Sequence, residues 1–255
     1  MTLSDAIILG SIQGITEFLP ISSSGHLVIA QSLLNLKLPG NIIEVVTHLG
    51  TLFSVIIVYR KDIIELLCDF KNLSTKKYIF MLFIGTVPAV IIGLSAKSFI
   101  LLFFESIKMV SFSLIFTGLI LLLSKRRNKK KSLISYKNSL LIGLSQALAI
   151  IPGISRSGIT ISTGILLGMN SKEAARFSFL LAIPAIFGAG IITVLDMVDQ
   201  PVQIIPYKIM FAALVSSFIV GYLSLKWFLG ILENGKLHIF GFYCITIGAI
   251  IFIVV

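Results

Sequence analysis

Gly10-Ser-Ile-Gln-Gly-Ile-Thr-Glu-Phe-Leu-Pro-Ile-Ser-Ser-Ser-Gly-His26 decides how this chain is read, because the chain writes it twice. The second version is Gly143-Leu-Ser-Gln-Ala-Leu-Ala-Ile-Ile-Pro-Gly-Ile-Ser-Arg-Ser-Gly-Ile159. Gly10, Gln13, Ile21, Ser22, Ser24 and Gly25 return as Gly143, Gln146, Ile154, Ser155, Ser157 and Gly158. The versions part where charge and proton chemistry belong: Glu17, Ser23 and His26 of the first align with Ile150, Arg156 and Ile159 of the second. Brought together, they assemble a carboxylate, an imidazole and a guanidinium that neither version holds alone.

Both segments are too polar for their surroundings. Hydrophobic residues are 56% of the chain and charged residues 13%, with a mean hydropathy of +1.04, the composition of an integral membrane protein. A bilayer core of about 30 Å takes about 20 apolar residues per helix. Stretches 41–59, 78–96, 106–124, 173–195, 207–229 and 237–255 meet that requirement. The expected fold class is therefore an all-α integral membrane protein with about six transmembrane helices, residues 1–255 forming one membrane domain. The N-terminus lacks the basic start of a cleavable signal peptide, and its apolar run leads straight into Gln13 and Glu17. Cys68 and Cys244 lie in different regions and suggest neither a disulfide nor a metal site.

The net charge of +10 is a topology signal. Arg60, Lys61, Lys71, Lys76 and Lys77 fall in one loop, and Lys125, Arg126, Arg127, Lys129, Lys130, Lys131 and Lys137 in another. Short loops rich in Lys and Arg mark the cytoplasmic side, so nucleic acid is not expected as a partner. The connection carrying Asp196 and Asp199 is acidic until Lys208 and reads as external. With 60–77 and 125–137 both inside, the helices alternate correctly only if each repeated segment enters and leaves on one face. The first dips from outside, the second from inside. Residues 1–124 and 138–255 are then inverted repeats whose broken helices meet tip to tip near the midplane.

Local chemistry supports the breaks. Residues 4–18 read as a half-helix that Pro20 cannot continue, since it lacks the amide donor and clashes with the preceding turn. Ser22, Ser23 and Ser24 offer N-cap oxygens for a second half-helix from about Gly25 to Leu36. The other copy runs 138–150, breaks at Pro152-Gly153, is capped at Ser155 and Ser157 and continues to about Gly168. Two helix starts aimed into one cavity supply backbone amides and positive dipole ends, which is an anion site. The groups offered to that anion are Ser22, Ser24, Gly25, Ser155, Arg156, Ser157, Gly158 and Thr160. Arg156 forks onto phosphate or carboxylate and stays charged. An arginine at membrane depth costs at least about 2.5–3.5 kcal/mol, so a partner is expected; simple pairing with Glu17 is the structural alternative.

Gln13 and Glu17 are four apart and share a helix face. Two such oxygens near a phosphate suggest a divalent cation held with the substrate's own oxygens; Glu17 as a proton acceptor is the other option. Ser23 and His26 are three apart at the start of the next half-helix, a hydroxyl beside an imidazole.

Gln13-Gly-Ile-Thr-Glu-Phe-Leu-Pro-Ile-Ser-Ser-Ser-Gly-His26 and Pro152-Gly-Ile-Ser-Arg-Ser-Gly158 resemble the two signature motifs of the bacterial undecaprenyl pyrophosphate phosphatases of the bacitracin-resistance type. The likeness spans essentially the whole chain, including Glu173-Ala-Ala-Arg-Phe-Ser-Phe-Leu-Leu-Ala-Ile-Pro184. It implies hydrolysis of undecaprenyl diphosphate to undecaprenyl phosphate and inorganic phosphate at the outer face of the bacterial plasma membrane. It also implies a divalent cation, Mg2+ or Ca2+, and return of the carrier lipid to peptidoglycan synthesis. Carried onto this sequence, the acidic motif falls on Gln13 and Glu17, the Ser and His on Ser23 and His26, and the phosphate-binding arginine on Arg156. Many members have Glu where this chain has Gln13, which leaves Glu17 with more of the metal-binding role. The catalytic set is then Glu17, Ser23, His26 and Arg156, with Ser23, His26 and water all open as the nucleophile. The partners are the lipid diphosphate and membrane lipids, with a homodimer as an option.

Two other classes compete. Ser24-Gly25-His26 and Ser155-Arg156 echo fragments of the lipid phosphatases built on a histidine nucleophile, but that His would follow the Arg by four positions, where this chain has Thr160. A transporter or flippase for a lipid phosphate or other anion is the second, because inverted repeats with broken helices are transporter architecture.

Overall fold

A computed structural model of the chain describes residues 1–36, 42–96, 103, 106–125, 134–198 and 205–254. Much of the second basic loop (Arg126, Arg127 and Lys129 to Lys131), Asp199 and the side chain of Asp196 lie outside the described residues. The described elements are helices: α1 Leu3–Phe18, α2 Ser23–Leu33, α3 Ile42–Val58, α4 Arg60–Cys68, α5 Leu73–Ser95 and α6 Ile107–Leu123, then α7 Tyr136–Leu148, α8 Arg156–Leu166, α9 Ser171–Val198, α10 Tyr207–Glu233 and α11 Ile239–Val254. α5, α10 and residues 171–192 of α9 are long and apolar enough to cross a bilayer. α6 and α11 are apolar but only 17 and 16 residues long, about 25 Å at 1.5 Å per residue. Large apolar side chains such as Phe83, Ile91, Phe187, Phe211, Leu223 and Phe242 face outward at 57–67% exposure, a surface suited to lipid. The chain is an all-helical membrane protein.

The half-helices form where their caps require. α1 opens on a capping box in which Thr2 Oγ1 accepts the Asp5 amide and Asp5 Oδ2 accepts the Thr2 amide. It stops before Pro20. α2 ends at Leu33, three residues short of the expected Leu36, because Asn35 takes a left-handed φ of 52°. α8 ends the same way at the aligned position, where Gly168 has φ 104°.

The expected loop 60–77 is instead partly helical. α3 bends by 72° into α4, which stays on the surface with no buried residue. Arg176 of α9 holds it there: its Nε lies 2.5 Å from Asp62 Oδ1, an Nη 3.7 Å from Glu65, and the guanidinium 5.5 Å over the Tyr78 ring. Sequence spacing could not reveal this anchor, because the charges that make it are 114 positions apart (176 − 62).

Small residues let the helices touch backbone to backbone, the packing rule inside membranes. Gly10 of α1 lies against Ala213 and Ser217 of α10, and Gly14 against Ser217 and Gly221, so these helices run parallel. Gly143 of α7 meets Gly85 of α5, while Ser139 donates to the Met81 carbonyl, again a parallel pair. α3 also runs parallel to α10: Gly50 sits against Ser217 and Ser54 donates to the Phe218 carbonyl at 2.8 Å. α6 and α11 are antiparallel, with Gly118 against Gly241 and Ser111 against Gly248. Rings at the base of this assembly interlock edge to face, Phe18 on Phe179 at 5.8 Å and Phe179 on Phe228 at 6.2 Å. The two hairpins start at opposite ends. Met1 packs in a cluster with Leu36 and Ile205, whereas Tyr136 packs on Phe80 and Lys77 beside the basic segment.

A glycine inside a helix is normally about 1 kcal/mol worse than alanine. At Gly143 the sign reverses, because the added methyl lands on the Gly85 backbone and overpacking costs about 1–3 kcal/mol. Gly143→Ala should therefore lower the unfolding midpoint in detergent, while Gly230→Ala, whose methyl meets nothing within 4 Å, should hold or raise it. Equal shifts in a thermal melt would refute the close approach.

Candidate active site

The two breaks meet. Gly153 N–H of the second hairpin donates to Ser22 Oγ of the first at 3.1 Å, and Ser157 Oγ donates to the Leu19 carbonyl at 3.3 Å. Gly25 approaches Gly153 so closely that a Cβ there would lie 3.2 Å from its Cα. Thr117 of α6 clamps the second break, donating to the Gly153 carbonyl and accepting the Ser155 amide, both at 3.0 Å. Gly153 has φ 93°, which suits glycine, but Ser22 also takes a positive φ of 69°. That strained turn lets Ser22 Oγ accept the Gly25 amide at 3.3 Å as well as Gly153, so one hydroxyl caps α2 and bridges the tips. Ser155 caps α8 through the Gly158 amide at 3.1 Å.

Glu17 is the hub. Its carboxylate is 6% exposed. Oε1 receives Arg156 Nη2 at 2.6 Å; Oε2 receives the Ser23 hydroxyl at 2.6 Å and Gln13 Nε2 at 3.0 Å. The residues split between the two copies are thus brought into one cluster. Arg156 Nη1 and Gln13 Oε1 are buried with no hydrogen-bond partner of their own, a donor and an acceptor left over.

His26 is positioned differently from the expectation that it lies against Ser23. Its Nδ1 is 2.8 Å from the Ser22 carbonyl, which only accepts, so Nδ1 carries the hydrogen and Nε2 accepts from the Tyr243 hydroxyl at 2.8 Å. The imidazole stacks on Tyr243 with 11° between the rings. The hydroxyl of Ser23 is committed to Glu17 instead, because the end of α1 brings the carboxylate closer than the next turn of α2 brings the ring. Of the serines offered to an anion, Ser24 alone is partly exposed, in the part of the site that also holds Ser23, His26 and Arg156. Ser22, Gly25, Ser155, Ser157, Gly158 and Thr160 are buried. Thr160 donates to the Arg156 carbonyl at 2.6 Å and pairs with Ser178 at 2.6 Å, which holds the Arg156 turn in place. The open helix starts still present the first amides of α2 and α8, which no helical carbonyl can reach.

Two residues escaped the reading of the motifs. His48 of α3 brings Nε2 to 3.6 Å from Glu17 Oε2, with Nδ1 tied to the Glu44 carbonyl at 2.7 Å. An ionisable side chain inside an apolar span is itself a functional signal, so His48 was legible. Tyr243 was not: nothing in the spacing of α11 points to His26.

Beside the cluster, Ile12, Ile15, Thr16, Ile29, Ala30 and Leu33 wall an apolar crevice of about 250 Å³ between α1 and α2, which His26 also lines. Glu17 Oε2 and the unpartnered Gln13 Oε1 are the oxygens that could hold a hard divalent ion completed by phosphate oxygens. Among the described residues no three of His, Cys, Asp and Glu gather into a closed metal cage.

Comparison with known proteins identifies the family. The family model for bacitracin resistance protein BacA matches residues 6–250. Undecaprenyl-diphosphatase 1 of Bacillus cereus is 41% identical over 258 residues, covering 96% of this chain and 94% of its own. The undecaprenyl-diphosphatases of Halothermothrix orenii and Methanosphaera stadtmanae are 38% and 37% identical, with 99% and 98% of this chain covered and 98% and 97% of theirs. With both motifs assembled on one carboxylate and the match running almost end to end, the chain belongs to the bacitracin resistance protein BacA family.

Proposed function

We propose that this protein is an undecaprenyl-diphosphatase, hydrolysing the membrane lipid diphosphate to the lipid monophosphate and inorganic phosphate. One observation carries the reading: Arg156 places Nη2 on Glu17 while Nη1 stays buried and unpartnered, a fixed cationic donor in a polar cluster that has an apolar crevice beside it. An amphipathic site of that shape fits a diphosphate on a prenyl chain better than a free anion.

Phosphoryl transfer needs positioning and neutralised oxygens more than new covalent chemistry. Arg156 Nη1 and the first amides of α2 and α8 bind the terminal phosphate. Ser23 attacks its phosphorus as its hydrogen passes to Glu17 Oε2, 2.6 Å away, and the bond to the prenyl phosphate breaks. Water then attacks the phosphoserine; Ser23 recovers its hydrogen from Glu17, and inorganic phosphate leaves with the water's hydrogens. A divalent cation, when bound, adds positive charge for the phosphate oxygens, and Glu17 and Gln13 would hold it. His26 faces the crevice, on the path of the departing lipid phosphate.

We infer that residues 1–124 and 138–255 are inverted repeats of one membrane unit. The parallel pairs α1–α10 and α7–α5 are the same contact made twice, each hairpin using the other half's helix. Arg60, Lys61, Lys76 and Lys77 lie at the end where the second hairpin starts, which favours a cytoplasmic basic face and a site reached from outside by the first hairpin. On that reading the enzyme sits in the bacterial plasma membrane and returns carrier lipid to cell-wall synthesis. A transporter reading survives only as an added activity, since the Ser23–Glu17 pair has no use in carriage.

With purified protein in detergent, Ser23→Ala and Arg156→Ala should each cut kcat for phosphate release from undecaprenyl diphosphate by about 10²–10³. Arg156→Lys should keep the fold while recovering little activity, because an ammonium cannot hold Glu17 and phosphate in one fork. Retention of a tenth or more of the rate in Ser23→Ala would exclude Ser23 as the nucleophile.

Filling the crevice tests the lipid end. Ala30→Phe with Ile29→Trp should raise KM for undecaprenyl diphosphate at least tenfold, about 1.4 kcal/mol, while leaving hydrolysis of a short prenyl diphosphate within about threefold. Equal loss on both substrates would seat the prenyl chain elsewhere.

A further inference from the structure

The geometry points to His48 as a nitrogen ligand of the divalent cation, joining Glu17 and Gln13; this rests on the phosphatase reading but is separable from it. Three observations meet at one point. The Nδ1 of His48 donates to the Glu44 carbonyl at 2.7 Å, which fixes the ring and turns the Nε2 lone pair towards Glu17. That bond to a backbone carbonyl is the usual outer partner of a metal-bound histidine. Nε2 and Glu17 Oε2 are 3.6 Å apart, too far for a hydrogen bond. Two ligand atoms each about 2.1 Å from one ion in tetrahedral geometry lie roughly 3.4 Å apart, close to the spacing seen.

Gln13 supplies the third observation. Its amide nitrogen donates to Glu17 and leaves Oε1 buried without a partner. Turning the amide over replaces a donor at Glu17 Oε2 with an oxygen ligand, while Ser23 keeps its own bond to the same oxygen. The ligand set becomes one carboxylate, one imidazole and one amide oxygen, open on the side of the phosphate. Carboxylate and carbonyl oxygens suit Mg2+, Ca2+ and Mn2+, whereas imidazole suits first-row transition metals such as Fe2+, Ni2+ and Zn2+. A mixed oxygen and imidazole set should therefore take Mn2+, a first-row ion that also suits oxygen ligands, ahead of Mg2+ or Ca2+, with His48 making up for the charged ligand that Gln13 cannot provide.

Manganese binding followed by electron paramagnetic resonance reads this without turnover. Wild type, His48→Ala and His48→Asn are titrated with Mn2+, and Mg2+ and Ca2+ compete it off; thermal melts of each variant establish folding. Wild type should bind Mn2+ at least tenfold tighter than Mg2+, and both variants should lose at least tenfold for Mn2+ with less than a threefold change for Mg2+. Unchanged Mn2+ affinity in folded His48→Ala or His48→Asn overturns the assignment and leaves His48 as an ion-pair partner of Glu17. No Mn2+ binding by wild type that still releases phosphate in chelator overturns the cation site but not the phosphatase reading. Absence of phosphate release under every metal condition, with Mn2+ bound through His48, overturns the activity and not the ligand.

Discussion

The ion pair between Glu17 and Arg156 is the constraint on which the molecule depends. Each charge belongs to a different half of the chain; Glu17 is buried and Arg156 is only 15% exposed, so both are poorly solvated. Removing one partner of such a pair strands the other, at a cost of about 3–5 kcal/mol. The pair therefore works as a registration device: the hairpins cannot slide or separate without leaving a bare charge at membrane depth. Ser22, through its bonds to Gly25 and Gly153, and Thr117, through its grip on Gly153 and Ser155, hold the backbone so that the 2.6 Å contact is met without rearrangement.

Everything outward of that pair serves close approach. Lipid tails are as apolar as leucine, so apolar burial alone gives helices no reason to associate. Gly10, Gly14, Gly50, Gly85 and Gly143 instead allow backbone contact, where dispersion and weak polar contacts add up. Gly10 and Gly143 occupy matching places in the two copies and do the same work on different helices. Their recurrence in the sequence is a packing signature, not part of the break. The polar repeat thus carries two messages written together, one for helix contact and one for the site.

Much of this was legible and some was not, for physical reasons. Pro20, Pro152 and the following serines announce the breaks because proline cannot donate and serine can cap. The extents of α3, α6, α9 and α10 follow from apolar length to within a few residues. The bend from α3 into α4 was missed, since the chain turns at Tyr59 without any glycine or proline and its anchor, Arg176, comes from another part of the chain. Local spacing also suggested His26 as the neighbour of Ser23; a partner from another helix took that hydroxyl, and Tyr243 took the imidazole. Spacing along one helix constrains which residues share a face, not which of them a distant element will claim.

Divergence of the two copies is what converts a packing motif into a reaction centre. Had both halves kept glutamate at the position of Glu17, two carboxylates would crowd the tips and repel an anion. Had both kept arginine at the position of Arg156, two guanidinium groups would crowd the tips with no second carboxylate to pair them. One copy holding Ile150 and Ile159 in place of Glu17 and His26 makes the second tip apolar on its own account, so its only charge, Arg156, turns across to the first. The asymmetry also separates polarity, with carboxylate and guanidinium at the tips and an isoleucine-lined crevice beside them between α1 and α2. A substrate that is charged at one end and a long hydrocarbon at the other meets a site graded in the same sense, and the bilayer itself receives the part of the chain that the protein does not need to enclose.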